Sequence, residues 1–265
     1  MKKLSSLVVS ASLICALHSH AADTHQLAAA QAGHAPAVTH GLHWGYTGAG
    51  GPETWGDLDK SYAICKTGKS QSPIDITASA QTVVESMTLN YRATPVKIVN
   101  NGHTIQVNTN AESSITVHGK KYKLVQFHFH SPSEHMIRGK PYALEVHLVH
   151  KSDEGQLAVV GVLMQPGTPH PLLKTLVEQF PAEVNQEKVV QSVRLHPKNL
   201  LPRVTQYYHY NGSLTSPPCS EGVAWFVMKT PIEVSAEQVA QFTAVMHHNA
   251  RPVQPMHDRV VLEKP

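Results

Sequence analysis

The sequence predicts a single-domain, mainly β protein of the α+β class, with a mostly antiparallel central sheet and short peripheral helices. After His43, short segments of alternating hydrophobicity recur between turn signals, as half-buried strands do. Only two stretches carry a persuasive helical pattern. Most spacers between the predicted strands are too short for the crossovers that parallel pairing requires, so antiparallel pairing should predominate.

The predicted elements follow from these two periodicities. The strands cover residues 86–91, 96–100, 104–108, 114–117, 122–130, 143–150, 158–164 and 223–229. The helices cover residues 171–180 and 235–247. At the start of the second helix, Ser235 and Gln238 occupy capping-box positions. The apolar stripe that follows comprises Val239, Phe242 and Val245 or Met246.

The composition argues against nucleic-acid binding and favours metal or proton chemistry. The chain has 265 residues, a hydrophobic fraction of 41% and a net charge of +3. No basic run is longer than two residues, as at Lys120-Lys121, so no nucleic-acid partner is expected. The 19 histidines are unusual. Histidine is the commonest metal ligand and titrates near neutral pH, so metal or proton chemistry is favoured.

The first 21 residues have the pattern of a secretory signal peptide. Lys2 and Lys3 precede an apolar stretch that is too short to span a bilayer, and Ser19-His20-Ala21 is a small-x-small cleavage site. We therefore expect an exported protein with no membrane span. The expected destination is the periplasm, and secretion from the cell is the alternative.

The mature chain is expected to begin with a flexible lead-in at residues 22–42, which are rich in Ala, His and Gly without a sustained period. We interpret the histidines of this segment as solvated polar residues, because nothing fixes them in the geometry of a metal site. The predicted folded domain spans residues 43–265. We find no repeat or composition shift within it.

Cleavage of the leader discards Cys15 and leaves Cys65 and Cys219. A pair of cysteines in an exported chain is most simply a disulfide, and two free buried thiols are the alternative.

The strand at residues 122–130 places two histidines on one face. His128 and His130 alternate with Phe127 and Phe129, and Val125 is expected on the face of the phenylalanines. Two imidazoles at this spacing can lean together onto one Zn²⁺ ion. A histidine pair of this kind is weak evidence by itself.

The next strand strengthens the interpretation. Glu145 and His147 share one face of the strand at residues 143–150, and the turn chemistry before it allows the two strands to pair. Three histidines with an open fourth position are typical of catalytic zinc. Gln126 and Glu145 could orient the rings, whereas His150 on the opposite face is expected to be a hydrogen-bonded core residue.

These residues belong to a series of motifs that resembles the α-class carbonic anhydrases, in particular the exported bacterial enzymes. The resemblance runs from about His43 to the C-terminus. Its seven ordered motifs are His43-Trp44-Gly45-Tyr46, Gln71-Ser72-Pro73-Ile74-Asp75-Ile76, Asn100-Asn101-Gly102-His103, Gln126-Phe127-His128-Phe129-His130, Ser133-Glu134-His135, Glu145-Val146-His147-Leu148-Val149-His150 and Gly212-Ser213-Leu214-Thr215-Ser216-Pro217-Pro218. The family fold, a twisted and largely antiparallel sheet with short surface helices, agrees with the predicted strands.

The resemblance implies a role for each matching residue. Zinc would be bound by His128, His130 and His147. Their hydrogen-bond partners would be Gln126, Glu145 and the Asn249 backbone. The catalytic residues would be Thr215, which donates to Glu134 and orients the nucleophile, and His103 as proton shuttle. The substrate pocket would comprise Val149, Val159, Leu214 and Ser216. The polar side would comprise Tyr46, Asn101, Gln106 and Tyr210, and Cys65 and Cys219 would form the disulfide. Because Cys219 follows Thr215 by four residues, this bond would hold the loop that contains Thr215, and we hypothesise that it supports activity as well as stability.

The implied reaction is the reversible hydration of CO₂ to bicarbonate and a proton through zinc-bound hydroxide, with ester hydrolysis as a side activity. The resemblance also implies a homodimer. Three alternatives remain open on the sequence: a non-catalytic zinc-binding relative, a zinc buffer in the periplasm, and His103 as a simple turn residue after Asn-Gly.

Overall fold

The computed structural model describes residues 43–81, 87–110 and 112–264. The predicted signal peptide and lead-in lie outside these residues, as does the start of the strand predicted from residue 86. No helix within the described ranges is long and apolar enough to cross a membrane.

Short strands dominate the described chain. They are β1 (Asp75–Ile76), β2 (Ala80–Gln81), β3 (Thr88–Asn90), β4 (Thr94–Asn100), β5 (Ile105–Asn108), β6 (Ser114–Val117), β7 (Lys120–His130), β8 (Met136–Ile137), β9 (Leu144–Lys151), β10 (Leu157–Pro166), β11 (Glu187–Leu195), β12 (Tyr207–Ser213), β13 (Glu221–Met228), β14 (Ile232–Val234) and β15 (Leu262–Glu263). The α-helices are α1 (Trp55–Leu58), α2 (Ile64–Thr67), α3 (Pro171–Val177) and α4 (Ala236–Met246). Three 3₁₀ helices lie at Gly48–Gly50, Lys60–Tyr62 and Pro197–Leu200.

Thirteen strands form one large twisted sheet, which confirms the predicted fold class. Its main path runs β11-β4-β5-β7-β9-β10-β13-β12-β15-β2. Neighbours are antiparallel except where β10 meets β13 and β14 and where β15 meets β2. The connection from β10 to β13 contains α3, β11 and β12, so it is long enough for parallel pairing. β1 and β8 pair separately and in parallel.

The two predicted helices are present with shorter ends. α4 begins with the predicted capping box: Ser235 Oγ accepts from the Gln238 N–H, and Gln238 Oε1 accepts from the Ser235 N–H, each at 3.1 Å. The strands that were not predicted are β1, β2, β8, β11, β12, β14 and β15. β11 is an edge strand with many exposed polar residues, so its apolar alternation is weak.

One face of the central strands is covered by the main core. Phe127 and Phe129 of β7 lie in the same buried cluster as Leu148 of β9, with Leu173 of α3 and Phe242 of α4. The opposite face of β7 and β9 carries the histidines that the sequence singled out. Helices α3 and α4 therefore cover one face of these strands, and the histidines lie on the other.

Val125 departs from the predicted alternation. The register of β7 against β9 shifts between Leu124 and Gln126, so Val125 is the extra residue of a bulge. Its side chain is 45% exposed instead of joining the core, and Leu124 is buried in its place. The ladder resumes at Gln126, so the spacing of the histidines is preserved.

His150 is the buried, hydrogen-bonded histidine that the sequence predicted. Its Nε2 lies 2.9 Å from the Tyr91 hydroxyl, and its Nδ1 lies 3.3 Å from the Ala158 carbonyl. Burial lowers the pKa of His150 to about 4. The unfolded chain would titrate at this position near pH 6.5.

This difference predicts acid sensitivity. Between about pH 6.5 and pH 4 the unfolded chain binds a proton at His150 and the folded chain does not, so the free energy of unfolding should fall as the pH is lowered through that window, by up to about 3 kcal/mol. Urea unfolding at several pH values measures the slope. His150→Gln should give a shallower slope than the wild type, and equal slopes would contradict the assignment.

Candidate active site

Strands β7 and β9 bring three histidines together. His128 and His130 lie two residues apart on β7, and His147 is the register partner of His128 on β9. The ring centroids are 5.0 Å apart for His128 and His130, 5.3 Å for His128 and His147, and 4.5 Å for His130 and His147. One nitrogen from each ring lies within 4.8 Å of the other two.

Each of the three rings is fixed through its other nitrogen. The acceptors are Gln126 Oε1 for His128 Nδ1 (2.8 Å), the Asn249 carbonyl for His130 Nδ1 (2.9 Å) and Glu145 Oε1 for His147 Nε2 (2.9 Å). These are the partners expected from the sequence. Because one nitrogen of each ring is used as a donor, the opposite nitrogen carries a lone pair toward the shared centre.

This arrangement fits a metal cation. His130 Nε2 is buried and has no hydrogen-bond partner within the described chain. Burial, followed by the neighbouring imidazoles, holds the pKa of His128 well below its usual range, and burial lowers the pKa of His130 to about 4. Burial also lowers the pKa of His147. Three neutral imidazoles are the donor set that zinc accepts.

Glu145 is a buried carboxylate that binds His147 and the segment containing Glu134 and His135. Its Oε2 accepts from the backbone N–H groups of Glu134 and His135, each at 2.9 Å, and its Oε1 accepts from His135 Nδ1 at 2.8 Å and from His147. Burial alone would raise the pKa of Glu145, but the two histidines hold it well below its usual range. Because these atoms already bond one another, the group of His135, Glu145 and His147 offers no second metal site.

Tyr210 does not lie where the resemblance placed it. Its side chain is 1% exposed, and its hydroxyl bonds His135 Nε2 at 2.7 Å and Ser72 Oγ at 2.8 Å. Tyr210 therefore belongs to the buried layer that supports Glu145 and does not line the polar side of the site.

Glu134 and Thr215, the pair that the resemblance implies, lie next to each other. The Thr215 side chain lies close enough to the Glu134 carboxylate to lower its pKa, and Glu134 Oε1 accepts from the Arg251 N–H at 2.8 Å. Glu134 Oε2 is buried and has no hydrogen-bond partner within the described chain. Glu134 Oε2 lies 3.5 Å from His130 Nε2. Burial raises the pKa of Glu134 to about 7. A cation held by the histidines would favour the charged carboxylate, which is the form that accepts from Thr215.

A small cavity of about 130 Å³ opens in front of the histidines. Its lining residues are Trp44, Tyr46, Asn101, His103, Thr104, Gln106, Gln126, His128, His130 and Ser216. Tyr46, Asn101, Gln106 and Ser216 are thus placed as expected. The Gln106 amide is held by donation from its Nε2 to Asn108 Oδ1 at 2.7 Å.

His103 stands at the rim of this cavity in an aromatic stack. Its ring lies over Trp44, with centroids 3.7 Å apart and planes inclined by 8°. Its Nε2 is 3.1 Å from the His43 Nε2, and its backbone N–H donates to Asn101 Oδ1 at 3.0 Å. Burial, and then His43, lowers the pKa of His103. The turn that Asn101 caps therefore places the His103 ring at the rim of the cavity.

The residues of the predicted apolar wall lie close to His147. Val149 follows His147 by two residues on the same face of β9, and its register partner on β10 is Val159. Both side chains and Leu214 pack in one apolar cluster with Trp225.

Comparison with known proteins agrees with this geometry. The family model described as eukaryotic-type carbonic anhydrase matches residues 50–265. The chain belongs to the α-carbonic anhydrase family. It is 42% identical to a carbonic anhydrase of Pectobacterium carotovorum, over 85% of this chain and 92% of that protein, and 44% identical to one of Klebsiella pneumoniae, over 86% and 94%. The structure of the Thermovibrio ammonificans enzyme with sulfanilamide matches with a TM-score of 0.81 and 45% identity, over 84% of this chain and 99% of that one.

The disulfide of this carbonic anhydrase lies close to the Thr215 loop. Cys65 in α2 and Cys219 are bonded, with their Cα atoms 5.0 Å apart. The Cys219 N–H donates to the Ser216 carbonyl at 2.8 Å, and the Leu214 N–H donates to the Ser220 carbonyl at 3.0 Å. These two hydrogen bonds close a tight loop around Thr215, and the disulfide ties that loop to α2.

Sequence reasoning missed several contributors to the site of this carbonic anhydrase. His43 and His135 were given no task, although His43 contacts the ring of His103 and His135 holds Glu145. Arg251 was not considered, and its backbone N–H is a donor to Glu134. The motifs His43-Trp44-Gly45-Tyr46 and Ser133-Glu134-His135 pointed to the first two, but no local pattern pointed to Arg251.

Proposed function

We propose that this carbonic anhydrase catalyses the zinc-dependent, reversible hydration of CO₂ to bicarbonate and a proton. The observation that carries the proposal is the buried, unpartnered Nε2 of His130 among three neutral imidazoles. Among the described residues, no fourth protein ligand joins this group, which is typical of a catalytic zinc site. His128, His130 and His147 would hold the ion.

Zinc bound there would act as a Lewis acid and lower the pKa of water to about 7, which supplies hydroxide near neutral pH. Thr215 would use its only hydroxyl proton to bond Glu134, whose pKa its side chain lowers. Its oxygen is therefore left as an acceptor, so it selects a nucleophile that presents an O–H to it and a lone pair to the substrate. Glu134 fixes this direction, because a charged carboxylate can only accept.

The apolar wall suits CO₂, which has neither a net charge nor a hydrogen to donate. Val149, Val159 and Leu214 would hold the substrate beside the nucleophile, and Ser216 would face the product from the polar side of the cavity. Activated esters would be attacked at the same position, so hydrolysis of 4-nitrophenyl acetate is proposed as a side activity.

Metal removal tests the proposal. Stopped-flow CO₂ hydration should be lost after treatment with a zinc chelator and restored by added zinc, with zinc content measured in parallel. A fully zinc-loaded, folded protein without CO₂ hydration would refute the proposal and favour a binding protein that keeps the family fold.

His103 is proposed to carry the proton from the cavity to external buffer. Its ring borders both the small cavity and an outer recess that also contains His43, His247 and His248. An imidazole with a pKa somewhat below its usual value gives up its proton readily at neutral pH, which suits a shuttle.

His103→Ala should lower kcat on the order of tenfold or more at low buffer concentration, because proton release then depends on water. kcat/KM for CO₂ hydration should be nearly unchanged, since the attack on CO₂ is untouched. Added imidazole should restore kcat, and the exposed His257→Ala variant is the control. A kcat that does not respond to buffer would remove His103 from this role.

Export to the periplasm is proposed from the leader pattern together with the disulfide. Fractionation of cells that express the full chain should place the mature protein in the periplasmic fraction, and recovery from the medium would favour secretion. A homodimer is proposed from the resemblance to the bacterial enzymes, and sedimentation at several concentrations would test it.

A further inference from the structure

The Arg251 side chain joins two segments that are distant in sequence. Its Nη1 donates to Gln71 Oε1 at 2.9 Å and to the Ser72 carbonyl at 2.8 Å, and its Nη2 donates to the Cys65 carbonyl at 2.8 Å. The guanidinium lies over the Trp55 ring at 5.5 Å, and the residue is 2% exposed. Burial lowers the pKa of Arg251 to about 10, so the group stays charged at neutral pH.

The backbone of Arg251 reaches the active site. Its N–H donates to Oε1 of Glu134, the carboxylate that Thr215 is proposed to bond. Two residues earlier, the Asn249 carbonyl accepts from His130. Arg251 therefore binds fixed acceptors with its rigid guanidinium and the Glu134 carboxylate with its backbone.

The same side chain is connected to both halves of the disulfide. The Cys65 carbonyl binds the guanidinium directly. The Cys219 carbonyl accepts from Gln71 Nε2 at 3.1 Å, and Gln71 Oε1 accepts from Arg251. Cys65 is thus bonded to Arg251 directly and Cys219 through Gln71, and a further hydrogen bond joins Arg251 to Glu134.

We propose that Arg251 is a positioning residue that sets the Glu134 carboxylate against Thr215, and that the Cys65–Cys219 disulfide contributes to catalysis through it. The proposal rests on the proposed function, because it assigns a cause to the geometry of that site. Lysine cannot reproduce the planar fork, so the three acceptors could not all be satisfied and the segment that presents the Arg251 N–H would move. A small displacement of a positioning group has a large effect on rate.

The first test compares Arg251→Lys with Arg259→Lys in the zinc-loaded enzyme. Arg259 is a matched control, since it donates to the carbonyls of Asn211, Pro255 and Met256 and lies over Tyr210. Arg251→Lys should lower kcat/KM roughly tenfold with zinc content retained, whereas Arg259→Lys should stay close to the wild type. Equal effects would overturn the proposal.

Epistasis separates positioning from a merely structural role. In a Thr215→Val background, the pair that Arg251 is proposed to position no longer exists, so Arg251→Lys should have little further effect on kcat/KM. A loss as large as in the wild-type background would show that Arg251 acts elsewhere. If Arg251→Lys does not fold, Gln71→Ala, which removes one acceptor of the guanidinium, takes its place with the same expected outcomes.

The contribution of the disulfide is tested by a second cycle. Cys65→Ala/Cys219→Ala should lower kcat/KM, and its effect should be smaller in the Arg251→Lys background than in the wild type. An unchanged kcat/KM in the folded cysteine variant, or full independence of the two effects, would overturn this part.

Amide hydrogen exchange tests the positioning role of Arg251 separately from the proposed function, because it does not require turnover. Amide hydrogen exchange at residue 251 should be at least about tenfold faster in Arg251→Lys than in the wild type, because the N–H would lose its stable acceptor. Unchanged exchange would overturn the positioning role even in an inactive protein. If exchange is faster in Arg251→Lys and the zinc-loaded wild type does not hydrate CO₂, the proposed function is refuted and the positioning role stands.

Discussion

His130→Ala is expected to remove zinc binding and CO₂ hydration together, with kcat/KM lowered on the order of a thousandfold or more. His130 supplies the buried nitrogen that has no partner within the described chain, so its loss leaves two ligands on a site built for three. Zinc content after dialysis and stopped-flow hydration give the two readings. The fold should persist, because the Asn249 carbonyl loses only one donor.

The matched comparison is with a histidine variant in β9. His147→Ala should give the same paired loss, although it removes a residue of β9 rather than β7. His257→Ala, on the exposed surface, should retain both zinc and activity. A His130→Ala protein that binds zinc as tightly as the wild type would mean that the metal lies elsewhere.

Thr215→Val is expected to lower kcat/KM roughly a hundredfold while zinc content stays at the wild-type level. Valine has nearly the shape of threonine but no hydroxyl, so the variant removes the bond to Glu134 and the acceptor that orients the nucleophile. The metal ligands and their hydrogen bonds are untouched. The loss should therefore appear in the chemical step rather than in metal affinity.

Thr215→Ser is the conservative partner of this variant. Serine keeps the hydroxyl and removes only a methyl group, so it should retain most of the activity. If Thr215→Val and Thr215→Ser were equally active, the hydroxyl would have no orienting role. If both lost zinc, the effect would lie in the stability of the loop next to Cys219.

Much of the site could be predicted from sequence because successive side chains of a strand point to opposite faces of the sheet. His128, His130 and His147 alternate with apolar residues in two neighbouring strands, and the spacing alone placed them on one face. Their partners Gln126 and Glu145 follow the same count. The capping box of α4 was equally local, and it is present.

Contacts between distant segments could not be predicted in this way. Arg251 meets residues 180 positions earlier in the chain, and no periodicity specifies that approach. The bulge at Val125 depends on how β7 is paired, and the burial of Tyr210 depends on His135 and Ser72. In each case the deciding partner lies on another element, so the local pattern carries no signal of it.

Because His128 pairs with His147 across β7 and β9, zinc binding would depend on the register of these two strands. A slip of either strand by one residue would turn its histidines into the core and bring phenylalanine or valine to the metal centre. Tight zinc binding would then occur only in chains whose central strands have found the correct alignment. A cobalt-substituted sample could therefore be used to follow, by its visible absorption during refolding, when that alignment is reached.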